Sequence, residues 1–208
     1  GCLMNTTATH GSNSGNRQAE IFLASHSPRR RELLLQIGVN FELLPVEIDE
    51  LQQAGETAEA CVQRLALEKA RAGRAALPAG RSQPVMGADT LVVYGDAVLG
   101  KPAGREAALA MLQSLSGSTH RVMTAVALAG DHEASCISTS HVTFRTLTAA
   151  ECEAYWQTGE PRDKAGAYAV QGLAAIFISR LEGSYSGVMG LPLYETAALL
   201  KDFGITPL

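Results

Sequence analysis

Apolar runs and helix-spaced apolar positions alternate along the chain, and the points where they break mark its elements. Glu20 to Ser25 is a short apolar run of the kind that forms a buried strand. It leads into Ser27-Pro28, a pair suited to the cap and first turn of a helix, because serine can accept a backbone N–H and proline has none to lose. A helix is predicted over Pro28 to Ile37, closed by Gly38. Phe41 to Val46 reads as a second strand, followed by the acidic loop Glu47-Ile48-Asp49-Glu50. From Ala58 to about Leu77 the residues Val62, Leu65, Ala66 and Ala70 share one helical face, leaving Arg64, Glu68, Lys69 and Arg71 for the other. Pro78-Ala79-Gly80 ends that helix.

Val85 to Tyr94 is predicted as a strand that turns through Gly95-Asp96 onto Val98-Leu99. Gly104 to Leu115 suits a helix with Ala108, Leu112 and Leu115 inward. Two β-rich runs follow, His120 to Ala129 and Cys136 to Leu147, split by the turn Gly130-Asp131-His132. Alternation over Ser140 to Arg145 gives the second run one wet face. Thr148-Ala149-Ala150-Glu151 is a capping box, so a helix runs to about Thr158 before Gly159. Leu173 to Leu181 reads as a strand, and Leu191-Pro192 opens a last helix reaching Phe203, with Gly204 beyond it. Hairpins interrupt the βαβ rhythm, which makes the fold class mixed α/β. Residues 1–19 read as a disordered arm and 20–208 as a single domain.

Composition narrows the function classes. With 208 residues, 46% of them hydrophobic and 18% charged, the chain can bury a sizeable core. Its net charge of −4 argues against broad electrostatic binding of nucleic acid, so any anion site must be a local concentration of lysine and arginine. Cys2, Cys61, Cys136 and Cys152 show neither metal-ligand nor disulfide spacing, which points to reduced thiols and a cytoplasmic protein. The leading residues hold no apolar run of signal-peptide type, and no later segment reaches membrane-spanning length.

Candidate chemistry sits in six places. Arg29, Arg30 and Arg31 crowd positive charge onto a helix start that already carries the positive dipole end, a conflict that a phosphate would resolve. The plain alternative is a capped helix with solvated arginines. Gly87-Ala88-Asp89-Thr90 puts a carboxylate inside an otherwise apolar strand, expensive unless it is paired or holds a metal, or else an Asp at a bend. Lys69 and Lys101, and the acidic loop ending at Glu50, are individually ordinary surface residues. Asp163 to Gly172 alternates small residues with Tyr168 and Gln171, which suits either a tight connection or close approach to a flat ligand, with the Gln171 carboxamide facing a base. His26, His120 and His141 lack metal spacing and read as structural or solvent-facing.

Together these segments resemble the Maf family of nucleoside triphosphate pyrophosphatases. Leu23-Ala24-Ser25-His26-Ser27-Pro28-Arg29-Arg30, Gly87-Ala88-Asp89-Thr90, Lys101-Pro102, Asp163 to Tyr168 with Val170-Gln171-Gly172, and Gly190-Leu191-Pro192 occur in that family's order and rough spacing. His26 departs from it, since a glycine or another small or polar residue is common there. The resemblance implies a fold similar to inosine triphosphate pyrophosphatases: a long curved mixed sheet with flanking helices and two lobes around a cleft, often in a homodimer. It also implies hydrolysis of a nucleoside triphosphate to the monophosphate and pyrophosphate with a divalent cation, Mg²⁺ or Mn²⁺. Carried over by position, Asp89 matches the catalytic proton acceptor, while Arg30, Thr90 and Gln171 fall where the family sets substrate specificity. Glu50, Lys69 and Lys101 match cleft positions, and Ser25, Ser27 and Arg29 belong to the opening motif.

The residue types agree with that chemistry. A triphosphate brings about four negative charges, which Arg29, Arg30, Lys69 and Lys101 could cradle together with Ser25, Ser27 and a helix N-terminus. Asp89 or Glu50 could hold the metal with phosphate oxygens, and one carboxylate can serve either as base or as ligand. Glycine-rich Walker spacing is absent. The Lys-Ala-Gly-Ala-Tyr and Gln-Gly form resembles the subgroup acting on dTTP and UTP. The alternatives are the sister subgroup acting on 7-methyl-GTP and a non-catalytic, septum-related regulator binding nucleotide or nucleic acid.

Overall fold

A computed structural model describes residues 18–208. The arm expected over 1–19 therefore lies outside the described residues except for Gln18 and Ala19, which adopt no regular structure.

Seven strands form one sheet in the order β2-β1-β3-β5-β6-β7, with β4 also on β3. In chain order the first elements are β1 (Ile21–Leu23), α1 (Pro28–Gln36), β2 (Phe41–Leu43) and α2 (Ala58–Ala75). The hairpin of β3 (Val85–Tyr94) and β4 (Ala97–Leu99) leads to α3 (Arg105–Leu115), β5 (Thr119–Ala129) and β6 (Glu133–Phe144). After α4 (Ala149–Gln157) come three 3₁₀ turns, then β7 (Ile178–Glu182), α5 (Tyr185–Met189) and α6 (Leu193–Asp202). β1 is parallel to β2 and β3, whereas β3, β5, β6 and β7 run antiparallel, which is the mixed class expected.

Strand alternation sorts the core into two layers. On one face Val62, Ala66 and Ala70 of α2 pack on Met123, Ala125 and Ala127 of β5. On the other, Leu33 and Leu34 of α1 and Leu199 and Leu200 of α6 pack on Met86, Ala88, Val126 and Leu128. A third cluster continues the second face toward α3 and α4, around Leu112, Phe144 and Tyr155. The register pairs Asp89 with Ala125 and Thr90 with Thr124. Asp89 consequently faces α2, and Thr90 faces the α1 and α5 side. Gly87 lets α2 come close: a Cβ there would run into the Ala66 carbonyl oxygen and the Ala70 amide nitrogen.

Most elements stand where the pattern put them, including the Thr148 capping box and the alternation along β6. Strand ends are the main difference: β1 and β2 are only three residues long, and β6 begins at Glu133 and stops at Phe144. Leu173–Phe177, expected as strand, is a 3₁₀ turn. The Leu173 and Ala174 amides are taken by the Glu160 carboxylate, so they are not free for a ladder, and pairing with β6 starts only at Ile178. The short α5 gave no periodic signal. Among the described residues no helix is long and apolar enough to cross a membrane.

Candidate active site

The start of α1 forms as its sequence dictates. Ser27 caps it by accepting the Arg30 amide at 3.4 Å, and Pro28 takes the first turn. Arg29 lines a cleft of about 650 Å³, within the usual range for small-molecule sites. Arg30 reaches the same cleft but is largely committed: Nε donates to the Gly190 carbonyl at 2.8 Å, Nη1 to Ser25 Oγ at 3.3 Å and Nη2 to Thr90 Oγ1 at 3.2 Å. Burial holds its pKa below the usual guanidinium value, the negative charge of Asp89 opposes that, and Arg29 adds to it. Ser25 is not among the lining residues. Its buried hydroxyl accepts from Arg30 and from the Ser27 amide, so it braces the loop behind the cleft wall.

Across the sheet, the close packing of α2 on β3 delivers Lys69 to Asp89. The Lys69 ammonium lies 3.0 Å from Asp89 Oδ1 and 2.7 Å from Glu50 Oε1. Asp89 is only 8% exposed, and burial raises its pKa above the ordinary carboxylate value. The charge and hydrogen bond of Lys69 and the charge of Arg30 work the other way, while Glu50 adds to the rise. For the half-exposed Glu50, burial alone would push the pKa up, but its bond to Lys69 and the nearby Lys101 and Arg30 hold it below the usual range. Asp89 Oδ2 is buried and accepts no hydrogen bond among the described residues, an unpaired carboxylate oxygen that needs a reason.

The residues fit a divalent cation of the hard, oxygen-seeking kind. Two carboxylates, Glu50 and Asp89, line the cleft on either side of the Lys69 ammonium, and among the described residues no group of three His, Cys, Asp or Glu could hold a metal alone. Mg²⁺ or Mn²⁺ sites of this class take one or two protein carboxylates and complete themselves with water and phosphate oxygens.

The opposite wall is built from turns. Gly166 donates to the Gly100 carbonyl at 3.1 Å, drawing the Asp163 to Gly172 segment against Lys101. Lys101, Lys164, Tyr168 and the exposed Gln171 all line the cleft there. Sequence reasoning singled out this segment but did not place Lys164 in the site; its ammonium is 2.7 Å from Asp163. Glu160, also missed, shapes the wall from behind, accepting the Leu173 amide at 2.9 Å, the Ala174 amide at 3.4 Å and the Tyr155 hydroxyl. Gly172 is glycine because a Cβ would collide with that carboxylate. No local pattern announces Glu160, since it acts on backbone a dozen residues away. The three histidines stay structural: His26 pairs with Glu47 on the surface, His141 is exposed, and His120 is buried with Nε2 2.6 Å from the Tyr168 hydroxyl.

The cleft thus joins Ser27, Arg29, Arg30, Glu50, Lys69, Asp89, Thr90, Lys101 and Gln171, with five cations against three carboxylates once Lys164 and Asp163 are added. An acidic protein has a locally basic crevice. The sequence profile described as Maf-like protein matches residues 20–203. The chain belongs to the Maf family.

Within that family its relatives are close. It is 60% identical over 188 residues to a protein of Alkalilimnicola ehrlichii named dTTP/UTP pyrophosphatase, covering 89% of this chain and 93% of that one. A protein of the same name from Saccharophagus degradans is 50% identical, with 96% of each chain covered. A third, from Pseudoalteromonas atlantica, is 53% identical over 89% of this chain and 97% of its own. Among solved structures, a nucleoside-triphosphatase / dITP/XTP pyrophosphatase from Mycobacterium abscessus superposes with a TM-score of 0.39 at 19% identity, over 60% of this chain and 72% of that one. The Staphylococcus aureus Ham1 protein gives 0.41 at 15% identity, over 60% of this chain and 71% of that one. Those scores are low, and the fold assignment rests on the sheet order itself.

Proposed function

We propose that this Maf protein hydrolyses dTTP and UTP to the monophosphate and pyrophosphate. The observation that carries the reading is a buried carboxylate, Asp89, held by Lys69 at the wall of a cleft whose remaining charge is mostly cationic. The pyrimidine assignment is supported by relatives of that name at 50–60% identity over most of the chain. Arg29, Lys101 and Lys164 stand at the cleft surface to receive phosphate oxygens, a task for which guanidinium and ammonium groups suit different geometries.

Burial raises the Asp89 pKa, which makes its ionised form a better proton acceptor, and Lys69 opposes that rise and so favours the ionised form. Asp89 takes the proton of the attacking water, and the α–β phosphoanhydride bond breaks as the new P–O bond forms. A divalent cation held by Asp89, Glu50 and the phosphates would contribute Lewis acidity and orientation. Gln171 can accept N3–H of uracil or thymine while donating to a ring carbonyl, a pairing that cytosine N3 does not match.

The test is release of pyrophosphate, as against orthophosphate, from UTP, dTTP, CTP and 7-methyl-GTP with Mg²⁺, Mn²⁺ or neither. Turnover of UTP and dTTP above the others, dependent on metal, is the expected result. Preference for 7-methyl-GTP would move the protein to the sister subgroup. Absence of turnover together with steeply salt-dependent DNA binding would make it a non-catalytic regulator. The same reading includes a cytoplasmic homodimer, checked by sedimentation of the purified chain and by cell fractionation.

A further inference from the structure

A hydroxyl relay leads from the cleft to α5, and the chemistry above makes no use of it. Thr124 is fully buried on β5 opposite Thr90, and its hydroxyl donates to the Gly187 carbonyl at 2.6 Å. Its oxygen also lies 2.8 Å from that of Thr90. A hydroxyl has one proton, and that of Thr124 is spent on Gly187, so Thr90 must be the donor between them. Arg30 Nη2 donates to the same Thr90 oxygen at 3.2 Å. The Thr90 proton is therefore directed into the strand pair, and the cleft receives a lone pair.

Thr124 stands between Met123 and Ala125 on a strand buried along almost its whole length, where valine would fill the same volume at no polar cost. Its hydroxyl is there for its proton. Through it the short helix α5 is tied to the site at two points, Gly187 by Thr124 and Gly190 by Arg30.

We propose that Thr124 is a positioning residue that fixes the Thr90 hydroxyl as an acceptor, so that Thr90 meets an N–H or O–H of the nucleoside half of the substrate and not a phosphate oxygen. A phosphate oxygen there would oppose acceptor to acceptor, leaving a buried polar pair unbonded. This rests on the dTTP/UTP reading, and the donors those two nucleotides share are the base N3–H and the ribose 3′-hydroxyl.

The experiment measures binding of non-hydrolysable α,β-methylene analogues of UTP, CTP and 3′-deoxy-UTP, and of inorganic pyrophosphate, to the full chain by calorimetry. The proteins are wild type, Thr124→Val and Thr124→Ser, and KM and kcat for UTP are measured in parallel. Thr124→Val is expected to weaken the UTP analogue about tenfold and raise KM to match, with kcat within about twofold and pyrophosphate binding unchanged. Thr124→Ser, which keeps the proton, should recover most of that loss. If the 3′-deoxy analogue binds wild type and Thr124→Val alike, the donor is the ribose hydroxyl; if the CTP analogue does so, it is the base N3–H. Equal weakening of pyrophosphate, unchanged affinity for the UTP analogue, or failure of Thr124→Ser to rescue while melting like wild type would overturn the proposal. A wild type that binds the analogues yet releases no pyrophosphate from UTP or dTTP would instead sink the functional reading, and the binding series would still decide the role of Thr124.

Discussion

One wall of the cleft is carried by regular elements and the other by turns, and the two are held in place by different physics. Arg30, Lys69 and Asp89 project from α1, α2 and β3, where helix periodicity and strand alternation fix direction and backbone packing fixes distance. Gly87 sets that distance, because α2 rests directly on the β3 backbone. Lys164, Tyr168 and Gln171 sit on 3₁₀ turns and connecting backbone that bonds mostly to neighbouring turn carbonyls and is anchored by two side chains, the Tyr155 hydroxyl, which accepts the Ala169 amide at 3.2 Å, and the Glu160 carboxylate just beyond, on Leu173 and Ala174. A wall of the first kind is stiff and suits chemistry that depends on sub-ångström placement. One of the second kind can be retuned by changing a single anchor, which suits selection of the nucleoside.

The contrast predicts that loss of the charged pair Lys69 and Asp89 on the regular wall appears in kcat, and that loss of an anchor of the turn wall appears in KM. The largest effect is expected for Asp89→Asn: kcat for UTP falls about 10³-fold in a pyrophosphate-release assay, as for loss of a general base. Burial gives the folded state a tighter hold on the Asp89 proton than the unfolded chain has, so this group's contribution to stability falls as pH rises from the ordinary carboxylate range through its raised value. Asp89→Asn should therefore melt no lower than wild type at neutral pH, and an inactive variant that has lost its cooperative melt would void the assignment.

Lys69→Met comes next, with kcat/KM down about 10²-fold and a shift in its pH profile. Asp89 must be ionised to accept a proton, so activity is lost as pH falls through its pKa. Removing Lys69 leaves burial less opposed, and the acid limb should move to higher pH. An acid limb that stays put would show that Asp89 is not the titrating group.

Glu160→Ala tests the other wall. It leaves the Leu173 and Ala174 amides and the Tyr155 hydroxyl without their acceptor, and KM for UTP and dTTP should rise about tenfold with kcat changed by less than about threefold. A loss confined to kcat would break the division between the walls. The smallest effect is expected for Ser25→Ala, about twofold in either constant, since Arg30 keeps its bonds to Gly190 and Thr90. A loss as large as that of Lys69→Met would restore Ser25 to direct phosphate contact.

Much of this was legible in order along the chain. The Ser27-Pro28 start, the Thr148 capping box, the β3–β4 hairpin and the apolar face of α2 are local signals, each set by backbone chemistry within about one turn. Asp89 stood out because a carboxylate inside an apolar strand needs a reason. A motif says which residues travel together but not which of them faces the cleft; the burial of Ser25 behind Arg30 is a matter of packing. The strand expected over Leu173 to Phe177 failed for a related reason: its apolar residues suit a strand, and a carboxylate from Glu160 outbids the ladder for two of its amides.

By itself the sequence determined the order of elements and the mixed α/β class, because these follow from periodicity and caps, and it marked Asp89 through the cost of burying charge, while the family resemblance pointed to Glu50, Lys69 and Lys101. Only the tertiary structure decided that Lys69 bridges Glu50 and Asp89, that Glu160 holds the segment bearing Gln171, and that Thr124 orients Thr90. Each of those is a hydrogen bond or ion pair between segments far apart in the chain. Its existence depends on a registry of a few tenths of an ångström that packing sets and no local pattern records.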